Sequence, residues 1–183
     1  LLKSAIDKTL AEIAEVSAPA TWVLCNHDSP RLATRLGGGE LGRKKARAMA
    51  LLTHALPGGI YIFQGEELGL EDVVLPDSAR QDPVFFRTQG IDKGRDGARV
   101  PIPWQANKKN YGFSNGNPWL PMPEDWNELS VQSQSDATSH LELYRQSIRM
   151  RRDFRVESGT ESLNWLKSPK GFLAFTRGNN FAL

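Results

Sequence analysis

Apolar residues recur at helical spacing from the start of the chain. Leu2, Ile6, Leu10, Ile13 and Val16 fall on one side, with Asp7, Lys8, Glu12 and Glu15 on the others. That pattern predicts an amphipathic helix over residues 1–17. Pro19 ends it, and "TWVLC" (21–25) follows as a short run of β-formers, apolar at successive positions. Such runs belong to strands in sheets covered on both faces. After the turn "GGGE" (37–40), "GRKKARAMALLTHALPGG" predicts a second helix with Ala46, Met49, Leu52, Ala55 and Leu56 inward. Pro57 and two glycines stop it. "IYIFQG" (60–65) is a second apolar strand, so helix, strand, helix and strand alternate on short connections. That alternation signals a parallel α/β sheet.

Residues 71–137 break the rhythm. They hold seven of the 11 prolines and three of the five tryptophans (Trp104, Trp119, Trp126), with no sustained periodicity. A connection this long is a functional loop or a misread element. Its aromatics and prolines favour an ordered lid or wall over a linker. "HLELYRQSIRMRRDFR" (140–155) predicts a third helix with Leu141, Tyr144, Ile148 and Met150 inward. Beyond it, "SLNWL", the turn "KSPKG" and "FLAFTRG" predict an antiparallel hairpin. The change of pattern sets an expected domain boundary near residue 155, dividing the chain into 1–155 and 156–183.

Composition narrows the function classes. With 23 basic and 21 acidic residues the formal net charge is +2, which gives no electrostatic case for nucleic acid or an anionic membrane surface. The run Arg43, Lys44, Lys45 and Arg47 reads as the wet face of an amphipathic helix. No apolar stretch reaches membrane-spanning length. The single cysteine, Cys25, excludes an internal disulfide, so a reducing, cytoplasmic setting is expected. The chain opens inside a helical pattern and stops inside a strand-like one, as a piece of a longer polypeptide would.

Candidate chemistry gathers where the strands end. His27 and Asp28 follow the first strand, and Gln64 to Glu67 ("QGEE") follow the second. In parallel α/β folds, active sites collect at the C-terminal ends of strands. Three carboxylates and an imidazole would then share a rim lined with Trp and Arg. Paired carboxylates suit glycoside chemistry, tryptophans stack on sugar rings, and arginine forks onto hydroxyls. Each residue also has a plain alternative: Asp28 as the cap of the Ser29-Pro30 turn, Glu66 as an ion-pair partner, and Glu67 as a neighbour of a helix N-cap. No metal site is expected, since His27 and Asp28 are adjacent and the spacing motifs of zinc and calcium sites are absent. No nucleotide or other cofactor is expected either, for want of a phosphate-cradling loop.

Taken together, "WVLCNHDSPR", "GGIYIFQGEELGL", "GRDGARVPIPW" and "NPWLP" resemble the α-glucosidase and oligo-1,6-glucosidase branch of glycoside hydrolase family 13. The resemblance covers nearly the whole chain. It implies an α/β chain that forms the C-terminal part of a (β/α)8 barrel, with "TWVLC" and "IYIFQ" as strands seven and eight. The start of an antiparallel β-domain would follow. Asp28 resembles the family's transition-state-stabilising aspartate, and His27 the histidine that binds the same sugar. Arg95, opening "RDGAR", resembles the arginine that holds the terminal glucose. Arg31 occupies a position usually arginine in this branch, expected to be a substrate-facing pocket wall or an ion pair. Glu66 and Glu67 match a structural stretch.

One departure limits what the chain can do. The family's nucleophile lies in a G-x-R-x-D motif, which this sequence lacks; it and the acid/base glutamate are expected upstream of Leu1. The resemblance therefore implies a portion of a retaining α-glucosidase acting on α-glucosidic oligosaccharides, inactive by itself. A trehalose or isomaltulose synthase is the near alternative, and a non-catalytic barrel subunit a further one. The joint presence of His27, Asp28 and Arg95 argues against the subunit.

Overall fold

The computed structural model describes residues 1–153 and 162–178, and the backbone of Phe181–Ala182. The expected boundary near 155 lies outside the described residues. The chain divides into two compact units, one of Leu1–Val23, Met49–Tyr61 and Gln146–Leu183, the other of Leu24–Ala48 and Ile62–Arg145. Among the described residues no helix is long and apolar enough to cross a membrane.

In the first unit, helix α1 (Leu2–Glu15) precedes strand β1 (Thr21–Val23), which pairs in parallel with β2 (Gly59–Tyr61). Trp22 stands opposite Ile60, and its indole Nε1 donates to the Pro57 carbonyl at 2.6 Å. Gly58, at φ +103°, is where the chain turns into β2. A Cβ there would lie 2.2 Å from the Ala20 carbonyl oxygen, so the close approach of the two strands requires glycine. Ile6, Leu52, Leu56 and Phe175 form the core, with Leu10, Trp22 and Met49 packed against it.

Two expectations need correcting here. The strands are three residues long rather than five or six, and Val23 and Tyr61 are exposed instead of covered. Along α1 only Ile6 is fully buried, with Leu10 and Ile13 half-buried and Leu2 and Val16 exposed.

Helix α3 (Gly39–Ala55) starts three residues before Gly42, where the predicted helix begins. The Glu71 carboxylate accepts from the Gly39 amide at 3.0 Å, and a carboxylate at a helix N-terminus satisfies orphan donors and the helix dipole. Helix α5 (His140–Asp153) buries Leu141, Tyr144 and Ser147. Met150 is 49% exposed, because the stripe set by Leu141 and Tyr144 continues through 147, 148 and 151. Strands β3 (Leu163–Trp165) and β4 (Phe175–Arg177) pair antiparallel as the hairpin pattern predicts, and β5 (Phe181–Ala182) adds to β4.

The second unit contains α2 (Leu32–Arg35), too short for periodicity to reveal, α4 (Pro83–Arg87), and the whole long segment 71–137. That segment holds no strand among its described residues, yet it has a core. Leu75, Val100, Ile102, Tyr111, Leu120 and Trp126 pack with Leu68 and Leu70. Tyr111 locks it: its hydroxyl donates to the Pro123 carbonyl at 2.8 Å and accepts from the Trp126 amide at 3.1 Å. The segment is an ordered wall, with Trp126 buried and Trp104 and Trp119 exposed.

Candidate active site

The loop after β1 is built to aim Asp28. Asn26 Oδ1 accepts from the Asp28 amide at 2.8 Å and from Ser29 Oγ at 3.2 Å, an Asx-type turn that fixes the backbone beneath the carboxylate. The Asp28 side chain stays half exposed. Its Oδ1 accepts from Arg95 Nη1 at 2.6 Å and from Arg99 Nη2 at 3.0 Å. Its Oδ2 lies 3.4 Å from His27 Nε2. Arg99 also donates through Nε to the His27 carbonyl at 2.9 Å, so one guanidinium ties both residues of the pair.

Behind this open group lies a buried one. The Asp82 side chain is fully shielded from solvent and caps α4 by accepting from the Val84 amide at 3.1 Å. Arg95 donates to Asp82 from its backbone amide at 3.0 Å, from Nε at 2.7 Å and from Nη2 at 3.3 Å. Hydrogen bonding from Arg95 holds the Asp82 carboxyl far below the usual carboxylate range, and the same bond raises the Arg95 guanidinium above its ordinary value. Asp96, also buried, accepts at Oδ2 from the amides of Gln81 and Asp82 at 2.7 and 2.9 Å.

The geometry is that of a solvent-open carboxylate with a neighbouring imidazole and two fixed cations. Such a group can accept from sugar hydroxyls or face a developing positive charge. The family follows from the sequence that carries it. Residues 1–158 match the family model described as the Alpha amylase catalytic domain. The chain belongs to the alpha-amylase family.

The chain is similar over most of its length to several named enzymes. It is 30% identical over 176 residues to the trehalose-6-phosphate hydrolase of Bacillus subtilis (strain 168), covering 85% of this chain and 31% of that protein. It is 31% identical over 153 residues to the oligo-1,6-glucosidase of Parageobacillus thermoglucosidasius, covering 73% of this chain and 27% of that one. The crystal structure of the trehalulose synthase from Pseudomonas mesoacidophila MX-45 superposes with a TM-score of 0.79 at 28% identity, over 97% of this chain and 35% of that one. The chain thus spans about a third or less of the length of the proteins it matches.

The structure of this alpha-amylase-family chain brings His27, Asp28 and Arg95 together, and it does not bring Arg31 with them. Arg31 is 1% exposed. Its Nη1 donates to the Gln64 carbonyl at 2.8 Å, its backbone amide donates to Asp72 at 2.8 Å, and its guanidinium sits 5.2 Å from the Phe63 ring. Burial lowers its pKa. Enclosed there, its guanidinium braces the carbonyl of Gln64. The idea of a shared rim of three carboxylates fails for a similar reason. Glu66 is buried and accepts from the Tyr144 hydroxyl at 2.8 Å, and Glu67 folds back to accept from the Gly65 amide at 2.7 Å. Burial raises the pKa of both.

Two site residues escaped the sequence reading. Arg99 stands four residues after Arg95 in "RDGAR", and the turn Asp96–Ala98 returns it to the same carboxylate. Asp82 carried only the local sign of a helix cap, Asp-Pro before a short apolar run.

Proposed function

We propose that the protein carrying this chain is a retaining α-glucosidase that releases glucose from the ends of α-glucosidic oligosaccharides. The observation that carries the reading is the open Asp28 carboxylate held by Arg95 and Arg99 beside His27. In a retaining hydrolysis one carboxylate attacks the anomeric carbon while a carboxylic acid protonates the departing oxygen. Water then attacks the glucosyl-enzyme, giving its proton to the same acid residue, now a base. Those two groups stand about 5 Å apart, and here they are assigned to the polypeptide upstream of Leu1. Asp28 is neither. Its negative charge faces the oxocarbenium-like centre, and its oxygens and His27 take the hydroxyls of that glucose. Arg95 and Arg99 fix the carboxylate, and Arg95 reaches the terminal sugar.

In the same reading β1 and β2 are strands seven and eight of a (β/α)8 barrel, residues 1–155 end the barrel, and 156–183 begin a β-domain. The exposed face of β1 and β2 is then covered by the remaining strands, and the 183-residue chain alone turns over no glucoside. A second reading has support in the trehalulose synthase neighbour: the same glucosyl-enzyme is intercepted by a sugar hydroxyl instead of water. One experiment separates them. The full-length protein is incubated with p-nitrophenyl α-glucoside and with sucrose or maltose, and products are resolved by chromatography. Hydrolysis predicts free glucose from each substrate. New disaccharides as the main product favour the transferase, and no turnover of any α-glucoside removes both.

A further inference from the structure

The proposed chemistry has no use for Asp82, yet this buried carboxylate is the most heavily bonded group near the site. A helix cap needs one acceptor, and Oδ1 supplies it to the Val84 amide. Oδ2 is aimed elsewhere: it accepts from the Arg95 amide and Nε, at 3.0 and 2.7 Å, and lies 3.6 Å from Arg99 Nη1. The Nε–Nη2 edge of Arg95 forks onto Asp82, which leaves Nη1 free to reach Asp28. A guanidinium is planar, so fixing one edge fixes the direction of the other.

Charge points the same way. Two guanidiniums meet a single open carboxylate at Asp28, and like charges so close separate unless a second anion lies between them. Asp82 Oδ2 touches both. The acid is itself rigidly seated. Asp96 grips the amides of Gln81 and Asp82. Gly94, at φ +70°, lets the backbone close to where a Cβ would stand 2.7 Å from Asp82 Cβ.

We propose that Asp82 is a positioning residue, a buried anion that holds Arg95 and Arg99 as a pair and through them sets the orientation of Asp28. Solvent-shielded as it is, it touches no substrate. The inference rests on Asp28 acting in the reaction.

The test is a double-mutant cycle in the full-length protein. Asp82→Ser keeps an N-cap acceptor but cannot reach Arg95, and Arg95→Lys keeps the charge but loses the fork. Asp82→Ser is expected to lower kcat on the order of tenfold to a hundredfold, with a smaller change in KM and a melting temperature within a few degrees of wild type. The losses in the double variant are expected to fall well short of the product of the single losses, since both changes break the Arg95–Asp82 link. Unchanged kcat in folded Asp82→Ser, or losses that multiply in the double variant, would overturn the proposal. Should Asp82→Ser fail to fold, Asp82→Asn, which keeps shape and cap, takes its place in the cycle. Should the wild-type protein turn over no α-glucoside, the functional reading falls and the positioning role is read from crystal structures instead. Arg95 then leaves Asp28 in the Asp82 variant if the inference holds, and stays if it does not.

Discussion

His54 should make the protein sensitive to mild acid. Its imidazole is 4% exposed, with Nδ1 2.7 Å from Ser147 Oγ on α5. Arg151 stands close by, donating Nη1 to the carbonyls of His54 and Leu56 at 2.6 Å each and Nη2 to that of Gly58. Burial first, and then the Arg151 charge, lower the His54 pKa from 6.5 to about 4. The unfolded imidazole takes up its proton as pH falls through 6.5, while the folded one stays neutral until about 4. Unfolding therefore takes up a proton across that window, and stability falls as pH falls.

From those two values the loss is roughly 1–2 kcal/mol by pH 5.5 and roughly 2–3 kcal/mol by pH 4.5. The comparison is with His54→Asn, whose amide keeps a polar atom where Nδ1 stands but does not titrate. Urea midpoints of the two full-length proteins, followed by tryptophan fluorescence from pH 7.5 to 4.5, should converge as the wild type weakens. Glu66 and Glu67, whose raised pKa values act in the opposite sense, are common to both and cancel. Parallel pH dependences in the two proteins would refute the reasoning.

Other substitutions probe the frame. Gly58→Ala places a Cβ against the Ala20 carbonyl at a positive φ and should cost roughly 2–4 kcal/mol through overpacking and backbone strain, read as a lower urea midpoint. Tyr144→Phe removes the hydroxyl bonded to the buried Glu66 and should cost about 1–3 kcal/mol. An unchanged midpoint would mean that Glu66 finds another partner.

The sequence made some parts of this molecule plain and hid others for physical reasons. Helices α1, α3 and α5 announced themselves because one face of each meets a core. Their edges were harder to read: the N-terminus of α3 is set by Glu71, a residue distant in sequence that no local pattern contains. Apolar runs implied strands longer than those observed, since hydrophobicity reports an environment while a strand needs a hydrogen-bonded neighbour. Segment 71–137 gave no period because its core is made by Tyr111, Trp126 and scattered aliphatics at irregular spacing. At the site, His27 and Asp28 stood out at the end of a strand, and Arg95 only through the family resemblance. Burial was not legible, and burial separates Arg31 and Glu66, enclosed, from Arg99, whose side chain reaches the open carboxylate.

The account stands most directly on Asp28. In the full-length protein Asp28→Asn preserves the shape of the side chain and removes the charge proposed to face the developing oxocarbenium. Steady-state turnover of p-nitrophenyl α-glucoside should fall by at least about a hundredfold in kcat, because such a charge, once bound substrate displaces the water around it, contributes several kcal/mol to the transition state. A folded Asp28→Asn protein with kcat near wild type would contradict it.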